Sequence, residues 1–389
     1  MSEEIDAHVD QRSGSGALVV PLGTGEAHVA TPGHIVEAAV EACCSQGLQQ
    51  TTPTAGLPEL RAAIAAKTAA EWDTDVSAAE VIVTSGSQQS ALDAVAAVVD
   101  PGDEVLLPAP YWPSYPALVE LARGRVVSVP ATLGDGFKVT VEQLEAAVSD
   151  RTTALLFSSP CDPTGAVYSP EELLRIGEWA GDQGLWLIID EIYGHLVFGG
   201  AVEASLPALM PSVRDRCIVL NGVAKAYAMT GWRVGWLVAP PRVVPAIDAF
   251  QSHVASHASN IAQAAALAAL QGGLEHVKGL RADLDRRRLR LYASLAAMPK
   301  VDVLEPFGAL YAFPSVESCL GGRLGNRTIS TTLELAAALP DHAGVSVIPG
   351  EAFGRMGHLR VSFALSDEDL GEGIDRLGAA LRELVESRG

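Results

Sequence analysis

Lysine is scarce in this chain, occurring only at positions 67, 138, 225, 278 and 300, so a lysine in a special place carries information. Lys225 is such a case, because it follows directly on the apolar run CIVLNG in CIVLNGVAK. Other apolar runs also end on polar residues. LLFSSP leads into CDPTG with Asp162, LWLIID ends on Asp190 and continues to Tyr193, and VIVTSG opens into Ser87 and Gln88. Singly these are ordinary features: an Asp after a strand commonly caps a helix, a lone Lys on a loop is commonly a solvated charge, and Gly-rich turns are frequent. Together they fit one chemistry. A lysine amine that forms Schiff bases must sit in a protected place that depresses its pKa. A pyridine-ring cofactor draws electrons when its ring nitrogen is protonated, which calls for a carboxylate there. A phosphate calls for backbone N–H groups at a helix N-terminus and a guanidinium. Lys225, Asp190, the Gly86-Ser87-Gln88 turn and Arg233 have the required types.

Residues spread from 86 to 233 meet only if the apolar runs between them are strands ending at one edge. Seven runs have that character: EVIVTSG, DEVLLPAP, RVVSVPA, TALLFSSP, LWLIIDE, CIVLNG and WLVAP. Between them, SQQSALDAVAAVVD and SPEELLRIGEWAGDQG have helical spacing. SPEE predicts a capping box with Ser169 at the N-cap and Pro170 at the first helical position. The alternation over residues 80–240 predicts an α/β fold with a mostly parallel sheet between helices, and such sheets bind ligands at the carboxyl ends of their strands. Beyond residue 250 the pattern changes to a long Ala- and Arg-rich helical region (261–297) and short strands around GALYAF, VSVIPG and HLRVSF. The expected division is a large domain over 38–275 and a smaller α+β domain built from 1–37 and 276–389.

With 389 residues, 48% of them hydrophobic, the chain exceeds the size at which one core usually stops growing. Its 27 Lys and Arg against 47 Asp and Glu give a net charge of −20, which argues against nucleic acid or anionic membrane as partner. No apolar run reaches the roughly 18 residues of a membrane helix. The polar start MSEEIDAHVDQRSGSG is expected to be a flexible tail, not a signal or anchor. Five scattered cysteines without a CxxC pair suggest reduced thiols in the cytoplasm, with no disulfide frame and no metal site.

The run NGVAKAYAMTGWRVGW resembles the cofactor-lysine signature of class I aminotransferases, in the branch nearest the bacterial aspartate aminotransferases. GTGEAHVATPGHI, AGLPELRAAI, PGDEVLLPAPYWPSYP, SSPCDPTGAVYS, IIDEIYGHLVF, GALYAF and VSVIPGEAFG with LRVSFALS extend the resemblance over residues 22–380. It implies the fold type I architecture, pyridoxal 5′-phosphate as cofactor, and a homodimer with shared active sites. It further implies that Lys225 holds the cofactor as a Schiff base and then shuttles the α-proton, that Asp190 pairs with the pyridinium nitrogen, and that Tyr193 hydrogen-bonds the phenolic oxygen. By the same resemblance Trp112 stacks on the ring, and Gly86, Ser87, Gln88 and Arg233 hold the phosphate. The resemblance also implies that Arg360 clamps the substrate α-carboxylate, with Gly25 bringing backbone to the same group. The implied reaction moves an amino group from an L-amino acid to a 2-oxo acid.

Four departures bear on that reaction. Asp162 stands where the family has an Asn that donates to the phenolic oxygen, and an ionised Asp there is repulsive. The expectation is that Asp162 is protonated, or that it favours a proton on the Schiff base or the phenolic oxygen. Thr51 stands where relatives carry a Tyr that reaches the partner's cofactor phosphate. Gln88 replaces a Lys that recognises a distal carboxylate in aspartate-specific relatives. The arm before Gly25 is short. His257, in SHVASHASNIAQ, falls in a stretch that approaches the partner's site in relatives. These departures favour a runner-up with the same fold and cofactor, in which the stabilised carbanion goes on to β- or γ-elimination, replacement, cyclisation or oxidation, for example of S-adenosylmethionine or a hydroxylated arginine. A non-catalytic binding protein, the third reading, predicts loss of the cofactor lysine.

Overall fold

The computed structural model describes residues 19–388. The polar start, including SGSG, lies outside the described residues. After the short strand β1 (Val20–Pro21), the seven apolar runs become β2 (Val81–Thr84), β3 (Glu104–Ala109), β4 (Arg125–Pro130), β5 (Thr152–Ser158), β6 (Trp186–Asp190), β7 (Cys217–Gly222) and β8 (Gly235–Val238). They form one sheet in the order β2-β8-β7-β6-β5-β3-β4. Every residue of β2, β3, β6 and β8 is buried. Helices cover both faces, and this is why these runs are continuously apolar. The alternation survives in where side chains go: Val81 and Val83 join one core cluster and Ile82 the other. Each fully buried aliphatic side chain of this kind contributes roughly 1.5–3 kcal/mol.

Six strands run parallel, whereas β8 is antiparallel to both its neighbours, β2 and β7. A parallel return needs a crossover of a dozen or more residues, usually helical. Residues 223–234 supply only the short turn Thr230–Trp232, so the chain comes straight back. The start of β8 therefore lies at the edge where the other strands end.

The helix Pro170–Asp182 carries the expected capping box: Ser169 Oγ accepts from Glu172 N–H at 3.2 Å and Glu172 Oε2 accepts from Ser169 N–H at 2.7 Å. Such a cap contributes about 1 kcal/mol. The single helical region expected over 261–297 is instead two helices, Asn260–Gln271 and Glu275–Ala296. They break at Gly272-Gly273, where Gly273 has φ +76°.

In the C-terminal third lie β9 (Tyr311–Ala312), β10 (Gly322–Leu324), β11 (Arg327–Ile329), β12 (Val345–Ser346), β13 (Ile348–Pro349) and β14 (Leu359–Ser362). β13, β14 and β9 form an antiparallel sheet, β10 and β11 a hairpin, and β12 pairs in parallel with β1. That last pairing ties the first described strand to the C-terminal third. Val20 and Leu22 share a core cluster with Leu291, Phe363 and Leu381. No helix of the described residues is long and apolar enough to cross a membrane.

Candidate active site

At the edge where the parallel strands end, side chains from β5, β6 and the segments after β2 and β7 line a cavity of about 190 Å³. One end of it is built to hold an anion. The helix Ser87–Val98 starts there, with Gly86 as N-cap at φ +93°. The first N–H groups of a helix have no partner within it, and the helix dipole adds positive potential. Arg233, just ahead of β8, reaches the same spot because β8 runs backwards, and its Nη1 donates to Thr230 O at 3.0 Å. A Cβ on Gly86 would lie 2.5 Å from Arg233 Nη2, and one on Gly235 would lie 2.4 Å from Ser87 N. The strand thus approaches the turn's backbone too closely for a side chain at Gly235, and the positive φ disfavours one at Gly86.

The other end holds a buried carboxylate. Asp190, at the end of β6, accepts from Ile192 N–H at 3.0 Å and from the Tyr115 hydroxyl at 2.8 Å. Burial pushes its carboxyl up to about 6, with those two hydrogen bonds holding it from rising further. It stays largely ionised at neutral pH. Trp112 and Tyr115 meet edge to face at 5.3 Å and both line the cavity.

Lys225 lines the same cavity. Its Nζ donates to Gly25 O at 2.7 Å and sits 5.5 Å from the centre of the Tyr193 ring. Burial brings its ammonium down to about 8, against the opposing pull of Asp162. The amine is therefore close to the protonation state a nucleophile needs. The Tyr193 hydroxyl pairs with that of Tyr311 at 3.0 Å.

Asp162 and Arg360 form a buried ion pair. Arg360 Nη1 donates to both carboxylate oxygens at 3.0 Å, and its Nη2 donates to Gly23 O at 2.8 Å. The guanidinium lies 4.3 Å from the Tyr311 ring centre and 5.1 Å from that of Phe353.

The structure gathers the residues singled out in the sequence around this cavity. Ser87, Gln88, Trp112 and Asp162 line it, as do Asp190, Tyr193, Lys225 and Arg233. Gly86, Gly25 and Arg360 stand one layer behind, through the helix start, the Lys225 amine and Asp162 respectively. Thr51 is exposed and His257 turns its Nδ1 to Ala258 O at 2.8 Å. Neither lines the cavity of its own chain. Asn260 instead ties that region together, donating to Leu48 O and Gln50 O and accepting from Thr52. Sequence reasoning missed Tyr115, Tyr311 and Thr230. The available signals were Tyr115 three residues after Trp112 in PYWPSYP, and the Tyr in GALYAF.

The donor set suits an aromatic ring with a basic nitrogen at one end and a phosphate at the other. Comparison with known proteins points the same way. The family model for aminotransferase class I and II matches residues 18–377. An aspartate aminotransferase of Streptomyces avermitilis is 49% identical over 379 residues, covering 97% of this chain and 93% of the relative. The crystal structure of the Rhizobium meliloti aspartate aminotransferase matches with a TM-score of 0.92 at 35% identity, over 98% of this chain and 95% of that one. The Thermus thermophilus aspartate aminotransferase with maleate matches with a TM-score of 0.90 at 35% identity, over 97% and 96%. The chain belongs to the class I and II aminotransferases and has their fold type I architecture. It is an enzyme that transfers an amino group from an amino acid to a 2-oxo acid.

Proposed function

We propose that this aminotransferase works with pyridoxal 5′-phosphate held through Lys225, with an L-amino acid as donor and a 2-oxo acid as acceptor. The observation that carries this reading is that a depressed lysine amine, an anion cradle and a buried carboxylate line one cavity. When bound, the cofactor supplies an aldehyde that condenses with amines and a protonated ring that takes up the electron pair left when Cα loses its proton. The chain's residues do the rest. The Gly86-Ser87-Gln88 turn and Arg233 bind the phosphate. Asp190, kept ionised by Tyr115 and the Ile192 N–H, holds the proton on the ring nitrogen. Trp112 covers the ring and excludes water, and Tyr193, oriented by Tyr311, donates to the phenolic oxygen. Lys225 Nζ would hold the cofactor and would take the substrate Cα proton. Arg360 and the backbone at Gly25 receive the substrate α-carboxylate.

The relatives named aspartate aminotransferases make aspartate the first donor to try, although Gln88 leaves this site without a cation at that position. The large domain over 38–275 and the smaller one from 1–37 and 276–389 follow from the same reading. So does a cytoplasmic homodimer, supported by the exposed apolar Val36, Val40 and Ile261.

The test is a single-turnover panel of amino acids on the holoenzyme. Conversion of cofactor to its amine form with release of the matching 2-oxo acid is expected, and Lys225→Ala should abolish it. Residual turnover by that variant removes the central role of Lys225. A second reading keeps the first steps but ends in elimination, cyclisation or oxidation. The acid Asp162 beside Lys225, where the family has a neutral residue, favours it. Ammonia or peroxide without the amine form would mark that outcome.

A further inference from the structure

Asp162 does not lie free beside Lys225. Both of its oxygens face Arg360 Nη1 at 3.0 Å, and the two side chains are only 7% and 10% exposed. The rest of the guanidinium is largely engaged or covered. Nη2 donates to Gly23 O, and the rings of Tyr311 and Phe353 cover the guanidinium. Its Nε is buried with no hydrogen-bond partner. A guanidinium so enclosed cannot swing out to meet an incoming carboxylate, and its charge is already balanced by an internal one. A second carboxylate on the same guanidinium brings two like charges within a few Å of each other in a dry site, which is unfavourable.

We propose that Asp162 is a residue that sets substrate affinity by holding Arg360 in place of the substrate, so that a substrate α-carboxylate binds only by displacing it. This rests on the reading above that Arg360 takes that carboxylate. An Asn at 162 keeps the shape and one acceptor oxygen but removes the competing charge. The family's neutral residue leaves Arg360 with its full charge for the ligand, whereas here the ligand must win an exchange. Every α-carboxylate ligand therefore binds more weakly than it would to an unpaired Arg360.

The experiment measures equilibrium binding of maleate and of propanoate to the pyridoxal-phosphate-loaded enzyme by calorimetry. Asp162→Asn is expected to tighten both by about tenfold or more. Asp162→Ser, which removes the carboxylate without its isostere, tightens them in the same sense and covers the case in which the Asn form folds poorly. The gain should vanish in Asp162→Asn/Arg360→Lys. Equal or weaker binding by both Asp162 variants, or no measurable binding of either acid to them, overturns the proposal. If those variants gain nothing while Arg360→Lys weakens the wild type, the proposal fails and the role of Arg360 stands. If the gain survives Arg360→Lys, the carboxylate sits elsewhere and the underlying reading fails with it.

Discussion

Tyr115 and Asp190 meet across 2.8 Å, the tyrosine hydroxyl donating to Oδ2 of a carboxylate 75 residues further along the chain. The bond stabilises the ionised form of Asp190 against a burial that pushes it up to about 6. Tyr115→Phe removes it. A hydrogen bond to a charged group contributes about 1.5–3 kcal/mol, so cofactor affinity should fall by about tenfold or more. The carboxyl pKa should also rise, moving the acid limb of the activity profile to higher pH. Equilibrium dialysis of the cofactor and a pH profile check both, and an unmoved acid limb would show that Tyr115 is not what keeps Asp190 charged.

The Lys225 ammonium, brought down to about 8 by burial, should label in the cofactor-free enzyme with a midpoint near that pH. Ordinary lysines label with a midpoint around 10.4. Below the midpoint the protonated form predominates and labelling by trinitrobenzenesulfonate is slow; above it the free amine reacts. Because Asp162 pulls this pKa upward, Asp162→Asn should move the midpoint lower. Peptide mapping of the labelled site decides it, and a midpoint at or above 10 contradicts the buried geometry.

Gly86→Ala places a Cβ 2.5 Å from Arg233 Nη2 at a residue with φ +93°. Backbone strain of this kind costs of order 1–3 kcal/mol. The guanidinium must also move, so phosphate anchoring suffers directly. We expect cofactor affinity to fall by at least about tenfold, with a lowered melting temperature of the apo form. Retention of full affinity would mean that Arg233 is not part of the cradle.

Glu191 follows Asp190 but turns to a separate cavity of about 350 Å³ that also holds Glu71 and Glu203. Burial, with a smaller contribution from those two acids, pushes its carboxyl up to about 8. The folded chain therefore keeps a proton that the unfolded chain releases, from about pH 4.5 up to about 8, and stability falls as pH rises through that window. Glu191→Gln should raise the melting temperature by several degrees at pH 9 and hardly at all at pH 4. A gain of equal size at both pH values would point to packing instead of charge.

Much of this site was legible because the chemistry stands at strand ends. Four of the apolar runs lead into polar residues, so Asp190, Lys225 and the Gly86 turn could be placed at one edge from the pattern alone. Arg233 joined them by resemblance and residue type, since nothing in the run GWLV indicates that β8 is antiparallel. The short turn-bearing link before it is what turns the strand round. Tyr115 and Tyr311 escaped because their roles depend on partners 75 and 118 residues away. Asp162 was expected to act on the cofactor oxygen. Its pairing with Arg360, 198 residues distant, is a relation no local spacing encodes.

The same long separations govern when the site can exist. Lys225 meets Gly25 over 200 residues, and Arg360 meets Gly23 over 337. Contacts so distant carry a large closure entropy and form late. A chain still emerging from the ribosome holds every part of the phosphate cradle once β8 is made, yet no carboxylate clamp until β14 follows. A nascent or truncated chain ending before residue 360 would therefore be left to fold without its substrate as a stabilising ligand. Ligand-dependent protection against proteolysis would then report the completion of the whole polypeptide.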